Sequence, residues 1–318
     1  MRRRRPLSVS AEKIKVPAFA KINLGLRVHG RRTDGYHEIS TVFQTVSLSD
    51  TLSFRAADDG KLDLVCSDPS IPTDDSNLVL RAAKALRERF GVSRGASVEL
   101  EKVIPAGGGL GGGSSDAAVT LAALATLWEI ETGAGELAEL GARLGADVPF
   151  FLTGGTALGT GTGTEIRPLE DAPKMHLVVV APGVHVSTAE AYGALGAPAL
   201  TKVEPLVNLS VSRTEADFPD SLCGVWSNDF EAVVVRLYPE IGRARERLVE
   251  AGAQRVMLSG SGSSVFGVFE SKGEAGRARE TLRAEGGWRV FACETLTRAE
   301  YLAALGRVAA VLRPGGGA

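Results

Sequence analysis

A glycine-rich stretch, PAGGGLGGGSSDAA at residues 105–118, restricts the fold more than any other part of the sequence. It follows a short predicted strand, ASVELEKVIP, and runs into the small-residue helix predicted from SSDAAVTLAALATLWE. Glycines lack a Cβ and tolerate positive φ, so several backbone N–H groups can approach one anion. A helix that begins at the end of the loop adds unpaired N–H donors and the positive end of its dipole. The pattern therefore predicts a phosphate-binding loop between a strand and a helix.

Phosphate binding is not the sole role that such a loop can have, and the residues alone leave some alternatives open. Close packing of a structural connection also calls for glycine. A Walker A loop is excluded, because no Gly-Lys pair follows the glycines. The dinucleotide fingerprint G-x-G-x-x-G fits Gly107, Gly109 and Gly112, with Glu129 or Glu131 near the expected position of a ribose-binding acid. These glutamates follow a helical run instead of a strand, so an oxidoreductase is a weaker alternative, as is a metabolite-binding protein without activity.

The length and charge of the chain bound its class. Its 318 residues are about twice the usual length of a domain, which predicts two domains. Hydrophobic residues at 44% and charged residues at 23% are ordinary for a globular protein. A formal net charge of -2 argues against a general polyanion binder, so we expect no nucleic-acid partner.

The sequence predicts a soluble protein of the cytoplasm. No stretch reaches the roughly 18 uninterrupted apolar residues of a membrane span. No apolar region follows the basic cluster Arg2 to Arg5, which is therefore predicted to be a disordered start and not a signal peptide. Cys66, Cys223 and Cys293 are far apart, so neither a disulfide framework nor a zinc site is indicated. We expect no membrane partner.

Residues 13–29 alternate between polar and apolar side chains, which predicts one long bent strand or two strand segments with one buried and one wetter face. Lys21 and Asn23 fall on the same polar side, about 7 Å apart along the strand. The Asp34-Gly35 turn signal and a second alternating run, Glu38 to Leu48, follow. Together the two runs predict a hairpin.

The rest of the sequence predicts an α+β protein. A Gly- and Thr-rich segment, Gly154 to Gly163, marks the expected join between two halves. Asn228, with Glu231 three residues later, resembles a capping box at the start of a helix. The other main predicted elements are a helix from Ser76 or Asn77 to Gly91, a strand at Leu177–Ala181, helices near Ser187–Leu195 and Pro239–Ala251, strands at Arg255–Leu258 and Val265–Phe269 joined by the loop Ser259–Ser264, and a strand at Trp288–Cys293.

The glycine stretch resembles the second motif, P-x-x-x-G-L-G-S-S-A-A, of the small-molecule kinase superfamily that contains galactose, homoserine, mevalonate and phosphomevalonate kinases. Gly112 and Gly113 are additional, and Asp116 precedes the alanines. With these departures, the stretch resembles the motif in the branch of the superfamily that acts on 4-diphosphocytidyl-2-C-methyl-D-erythritol. Four further stretches resemble that branch in the same order along the chain, namely PAFAKINLGLRVHGRRTDGYHE, LGADVPFFL, APGVHVSTAEAY and LSGSGSSVFG.

The resemblance implies an N-terminal domain like the second domain of ribosomal protein S5 and a ferredoxin-like C-terminal domain. We place them at residues 15–165 and 166–312, between a disordered start at 1–14 and a glycine-rich tail at 313–318. The implied activity is phosphorylation of the 2-hydroxyl of the cytidyl sugar alcohol in the non-mevalonate isoprenoid pathway, with ATP and Mg2+. A sibling kinase acting on homoserine or mevalonate is the nearest alternative.

The resemblance also implies catalytic roles. Asp147 matches the family's aspartate that removes the hydroxyl proton, although from the sequence alone it equally caps a short helix before Val148 and Pro149. Lys21 matches the active-site lysine, which is expected to keep Asp147 ionised and to balance charge on the transferred phosphoryl group. A lone strand lysine is more often solvated. Asn23 is expected to orient substrate or base.

Four residues match the family's substrate-binding positions. Tyr36 and His37, just beyond the hairpin tip, correspond to the tyrosine that stacks on cytosine and the histidine that reads its edge. Tyr192 corresponds to the aromatic residue on the other face of the base, and Thr188 to a nearby polar contact, which implies an aromatic sandwich. ATP is expected on the loop residues Pro105, Ala106, Gly107, Gly108, Gly109, Leu110, Gly111, Gly112, Gly113, Ser114 and Ser115, with either serine available to Mg2+ and with Ser259–Ser264 closing over the site.

Overall fold

The first half of the chain is built on a mixed sheet. The computed structural model describes residues 13–201 and 226–313, so Arg2 to Arg5, Cys223 and the glycine-rich residues 314–318 lie outside the described residues. The strands of this sheet are β1 Lys13–Arg31, β2 His37–Ala57, β3 Leu62–Cys66, β4 Gly95–Glu101, β5 Thr156–Thr160 and β6 Glu165–Pro168. Within the described residues their order is β3-β4-β2-β5-β6, with β1 along the other edge of β2.

Strands β1 and β2 form the predicted antiparallel hairpin. Three register shifts bend β1 without ending it, so the alternating run is one long bent strand. Asp34 stabilises the turn, because its carboxylate accepts the backbone N–H of Tyr36. The prediction that one face of β1 is wetter is wrong at the centre of the strand, where Lys21 and Asn23 are only 3% and 1% exposed. There the polar face of β1 lies inside the protein and not in bulk solvent.

Four helices cover the first sheet. They are α1 Leu78–Phe90, α2 Gly112–Leu127, α3 Ala134–Leu144 and α4 Val148–Phe151. As predicted, α1 begins at Asn77, whose side chain accepts a backbone N–H of the first turn, and stops at Gly91 in the left-handed conformation. Helix α2 begins at Gly112, two residues before the predicted start, because the last left-handed residue of the loop is Gly111 at φ 70°.

The second half is an antiparallel sheet with its own helices. Its strands are β7 His176–Ala181, β8 Arg255–Leu258, β9 Val265–Phe269 and β10 Arg289–Glu294, and its helices are α5 Thr188–Leu195, α6 Glu231–Leu237, α7 Pro239–Glu250 and α8 Lys272–Leu282. In the described residues the strand order is β10-β7-β9-β8. The succession β7, α7, β8, β9, α8, β10 is the β-α-β-β-α-β pattern, which confirms the predicted ferredoxin-like half and the α+β class.

The two halves share a hydrophobic interface through β7. Val178 and Val180 face the helices of the second half, whereas Leu177 and Val179 pack against side chains of β1 and β2. Because side chains alternate along a strand, β7 is buried on both faces and belongs to both cores. The two halves are therefore held together by the packing around β7. Across residues 13–201 and 226–313, no helix combines the length and hydropathy that a membrane crossing requires.

The Gly- and Thr-rich segment 154–163 is not the join between the halves. It contains β5 and the turn into β6, and both strands extend the first sheet beyond β2. The expected boundary between residues 165 and 166 therefore falls inside β6. Glycine is needed here for close packing and not for a linker, since a Cβ on Gly154 would lie 2.1 Å from the ring of Tyr301.

Two C-terminal helices return to the core of the first half and were not predicted from the sequence. They are α9 Arg298–Ala304 and the 3-10 helix Gly306–Leu312. The sequence did contain a helix-start signal for α9, because Thr297 and Glu300 have the spacing of a capping box, and they form one in the structure. Tyr301 is fully buried, and its hydroxyl donates to the carbonyl oxygen of Phe151 at the end of α4. The end of the chain thereby supports the short helix that follows Asp147.

We expect Tyr301→Phe to lower the free energy of unfolding by about 1–3 kcal/mol, because it leaves the buried carbonyl of Phe151 without its donor. Urea unfolding at pH 7 measures the change. The matched control is Tyr238→Phe, whose hydroxyl donates to the exposed Glu190 and whose loss should cost less than about 0.5 kcal/mol. Equal losses in the two variants would contradict the proposed support of α4.

Candidate active site

A cavity of about 1700 Å³ opens between the two halves. Sites for single drug-sized ligands are about 300–1,000 Å³, so this cavity is large enough for two nucleotide-sized molecules. All five sequence motifs contribute to its wall. The structure brings together the predicted residues Lys21, Asn23, Tyr36, His37, Asp147, Thr188 and Tyr192, and with them the loop residues 105–109 and 111–114.

The glycine loop has the backbone conformation that its sequence predicts. Gly107, Gly109 and Gly111 have φ angles of 67°, 75° and 70°, in the left-handed region. Space is also restricted, because a Cβ on Gly109 would lie 2.1 Å from the carbonyl oxygen of Ser259 and one on Gly111 would lie 2.8 Å from the ring of Phe151. These glycines are required both for the path of the loop and for its contacts.

The start of α2 faces the cavity, but only part of the predicted ATP-binding stretch does. Gly112, Gly113 and Ser114 form the first turn and line the cavity, with the unpaired N–H groups of a helix start. Ser115 does not reach it, because its side chain is fully buried and its N–H already donates to Gly111. Leu110 is also buried and packs in the core between the two halves. Ser114 is therefore the serine whose side chain meets the cavity.

The second loop, Ser259–Ser264, lies directly on the first. The Ser259 hydroxyl donates to the carbonyl of Gly109 at 3.0 Å, and the Ser264 N–H donates to the carbonyl of Gly108 at 3.0 Å. These bonds use the carbonyl oxygens of Gly108 and Gly109. The second loop thus holds the backbone of the first in place.

Lys21, Asn23 and Asp147 form a polar cluster in the wall of the cavity. Lys21 Nζ lies 2.8 Å from Asn23 Oδ1 and 3.4 Å from Asp147 Oδ2, and it stands 5.4 Å from the ring centroid of Phe43. Asn23 Nδ2 donates to the hydroxyl of Thr41 at 2.7 Å. Asp147 precedes α4 but makes no capping bond. Its carboxylate faces Lys21 and the cavity, as the catalytic interpretation requires and the helix-cap interpretation does not.

The aromatic residues His37, Tyr36 and Tyr192 line the same cavity. His37 stacks on Tyr192, with ring centroids 4.3 Å apart and an angle of 17° between the rings. Tyr36 is 66% exposed, because it belongs to the turn while His37 begins β2 and points inward. The predicted pairing of Tyr36 with Tyr192 is therefore not the contact present here. Thr188 lies 3.1 Å from the hydroxyl of Ser261 in the second loop.

The charge states of these rings follow from their surroundings. Burial, and then the charge of Arg31, lower the pKa of His37 below its ordinary value, so its imidazole is neutral at neutral pH. Burial, and then the charge of Asp147, raise the pKa of Tyr192 to about 12. A neutral imidazole offers one donor and one acceptor, which suits it to an uncharged hydrogen-bonding partner.

Comparison with known proteins identifies the family. Residues 77–155 match the GHMP kinases N terminal domain and residues 216–287 the GHMP kinases C terminal. A 4-diphosphocytidyl-2-C-methyl-D-erythritol kinase of Chlorobium phaeobacteroides is 45% identical over 85% of this chain and 94% of its own length, and one of Chlorobaculum tepidum is 46% identical over 85% and 93%. The chain belongs to the 4-diphosphocytidyl-2-C-methyl-D-erythritol kinase family. A crystal structure of a 4-(cytidine 5'-diphospho)-2C-methyl-D-erythritol kinase agrees, with a TM-score of 0.74 and 37% identity over 89% of this chain and 99% of that one.

Membership of the 4-diphosphocytidyl-2-C-methyl-D-erythritol kinase family confirms the resemblance stated from the sequence and the two-domain fold. The oxidoreductase alternative is wrong. Glu129, at φ 56°, and Glu131 follow α2 and not a strand, so the glycines have no ribose-binding acid in the expected place.

A buried charged cluster next to the glycine loop was not predicted from the sequence. Lys102 Nζ lies 2.5 Å from Asp50 Oδ2 and 2.7 Å from Asp116 Oδ2, and Asp50 also accepts the N–H groups of Val103 and Ile104. The cluster ties the chain just before the loop to the second turn of α2. Burial raises the pKa of Asp116 to about 7 in spite of Lys102. One ammonium between two buried carboxylates explains why one of them holds its proton more tightly.

The predicted capping box at Asn228 and Glu231 is also wrong. The Asn228 side chain accepts the N–H of Phe230 and not that of Glu231, and the Glu231 carboxylate does not return to the Asn228 N–H, so the reciprocal bonds of a capping box are not formed. Instead, Asn228 Nδ2 donates to the carbonyls of Leu258 and Gly260, and the carboxylate of Glu231 accepts the N–H of Leu258. Both side chains bind β8 and the second loop. Spacing within one segment cannot reveal partners 27 to 32 residues away.

Proposed function

We propose that this protein is an ATP-dependent kinase that phosphorylates the 2-hydroxyl of 4-diphosphocytidyl-2-C-methyl-D-erythritol in the non-mevalonate pathway to isoprenoid precursors. The observation that supports it most is one cavity that is lined by the glycine loop, the Lys21–Asp147 pair and the His37–Tyr192 stack. Family membership supplies the substrate, since relatives at 45–46% identity carry the name of that kinase.

We place the triphosphate of ATP on the N–H groups of the glycine loop and the first turn of α2. Left-handed glycines, the helix dipole and the unpaired N–H groups all favour an anion at this position. A second cavity of about 180 Å³ lies between α1 and the loop, with Asn77, Lys102 and Asp116 as its polar lining residues. It adjoins the main cavity at Gly107 and Gly113, and we place the nucleoside end of ATP there.

Asp147 acts as the base in this proposal. The substrate hydroxyl attacks the γ-phosphorus, its proton passes to the Asp147 carboxylate, and the bond from phosphorus to the ADP oxygen breaks. Lys21 pairs with Asp147 at 3.4 Å and offsets negative charge on the transferred group. Asn23 holds Lys21 by the hydrogen bond at 2.8 Å. Because Lys21 is buried and has these partners, its ammonium is positioned before the substrates bind.

The cytidyl end of the substrate belongs with His37 and Tyr192. Their stack shows that a flat ring fits against Tyr192, and the neutral imidazole of His37 can read the donor and acceptor groups of cytosine. A base that stacks on Tyr192 either contacts the face of the Tyr192 ring opposite to His37 or displaces His37. Tyr36, exposed in the turn, closes over that base as the opposite side of an aromatic sandwich, and Thr188 supplies a polar contact.

Mg2+ fits this site as a partner of the phosphates. Magnesium sites in kinases use one or two protein oxygens together with phosphate oxygens and water. The Ser114 hydroxyl and the Asp147 carboxylate line the cavity and are the side chains suited to hold it. When bound, the metal neutralises charge on the triphosphate.

We place the reaction in the cytoplasm, where ATP is available and thiols such as Cys66 and Cys293 stay reduced.

A panel of acceptors tests the activity. ATP and Mg2+ are supplied with the cytidyl sugar alcohol, mevalonate, homoserine or galactose, and ADP release and the phosphorylated product are measured. We expect turnover with the cytidyl substrate alone, because the other acceptors carry no base for His37 and Tyr192 to bind. Turnover with another acceptor, or ATP binding without turnover of any acceptor, would overturn the proposal.

The base role gives a separate prediction. Asp147→Asn should lower kcat by roughly 10²- to 10⁴-fold while each KM changes little, because a general base acts mainly in the transition state. Steady-state kinetics with both substrates varied measure the two effects. Asp63→Asn, which removes an exposed carboxylate on β3, is the matched control and should keep the wild-type kcat. Near-normal turnover by Asp147→Asn would show that another group takes the proton.

A further inference from the structure

A short stretch around Asn228 is attached to the strand that carries the catalytic lysine. Leu26 of β1 donates its N–H to the Ser227 carbonyl at 2.8 Å and accepts the N–H of Asp229 at 3.1 Å. The carboxylate of Asp229 accepts the N–H of Val28 at 2.7 Å. Residues 227–229 therefore pair with β1 a few residues beyond Asn23 and cannot move independently of it.

The side chain of Asn228 joins this stretch to the second loop. It is 8% exposed, and its amide uses both ends. Nδ2 donates to the carbonyls of Leu258 and Gly260 at 2.9 and 2.8 Å, and Oδ1 accepts the N–H of Phe230 at 3.0 Å. Two carbonyl acceptors require a group with two N–H bonds, which an amide has and a carboxylate lacks.

The loop that Asn228 holds touches each part of the reaction centre. A Cβ on Gly260 would lie 3.4 Å from Lys21 Nζ and 3.5 Å from Asn23 Oδ1, so the backbone of Gly260 lies against both side chains. The neighbouring Ser259 holds the glycine loop through its bond to Gly109. A shift of this loop would therefore move the phosphate donors relative to Lys21.

We propose that Asn228 is a positioning residue for phosphoryl transfer, which couples β1 to the second loop and, through it, to the glycine loop. Asn228 itself does not line the cavity. It acts by fixing the distance between Lys21 and the N–H groups that hold the triphosphate, and displacements of about 1 Å at a reaction centre can cost 100-fold in rate. The inference rests on the proposed kinase function for its effect on turnover.

The test is Asn228→Asp, which keeps the shape and the acceptor but places a carboxylate oxygen against two carbonyls. We expect kcat to fall roughly 10- to 100-fold with each KM within about threefold of wild type. Gln44→Glu is the matched control. Gln44 is 1% exposed, and its amide donates to the carbonyls of Thr45 and Leu296 at 2.8 and 2.9 Å, away from the cavity. It should lose stability and keep kcat.

A double-mutant cycle with Ser259→Ala shows whether Asn228 acts through the loop. If it does, the fall in kcat for the double variant is smaller than the product of the two single effects. Multiplied effects, or a wild-type kcat for the folded Asn228→Asp protein, would overturn the inference.

Hydrogen exchange supplies a readout that needs no turnover. Amides of residues 107–113 and 259–264 should exchange faster in Asn228→Asp than in Gln44→Glu at equal global stability. Unchanged exchange in both loops would overturn the coupling. If the wild-type protein failed to phosphorylate the cytidyl substrate, the proposed function would fall, and the exchange comparison would still decide whether Asn228 couples the loops.

Discussion

Gly109 lies so close to Ser259 that a Cβ on it would be 2.1 Å from the Ser259 carbonyl oxygen, and the geometry of the cleft follows from this contact between two backbones. The carbonyls of Gly108 and Gly109 are bonded to the second loop, and we propose that the N–H groups of the glycine loop bind an anion. Because the first loop belongs to one half of the chain and the second to the other, the site exists only while the halves stay together. The shared burial of β7 in both cores provides that constraint.

In the proposed mechanism, strand β1 carries residues of the chemical step and leads directly to residues of substrate selection. It carries Lys21 and Asn23 near its middle and leads through the turn that contains Tyr36 to His37 at the start of β2. The N–H of Lys21 also donates to the carbonyl of Leu110 at 3.0 Å, so the same residue binds the glycine loop through its backbone and Asp147 through its side chain. Sites built on regular strands hold their groups more accurately than sites built on loops.

Local signals in the sequence predicted much of this site, and contacts between distant segments account for what it did not predict. Period-two alternation and the Asp34-Gly35 turn indicated the hairpin, and the glycine run before small residues indicated the strand-loop-helix. Exposure was predicted less well: Lys21 looked like a solvated residue because alternation does not say what covers a polar face. The partners of Asn228 and Tyr301 lie in segments that only the folded chain brings near.

The proposed chemistry depends most on the main-chain amides of residues 107–114 as the ligands of the triphosphate. A crystal structure of the protein with a bound non-hydrolysable ATP analogue and Mg2+ would test this directly. We predict phosphate oxygens within about 3 Å of N–H groups in the loop and the first turn of α2, with the terminal phosphate beside Lys21. A triphosphate bound elsewhere, with these amides facing only protein, would contradict this assignment of the loop.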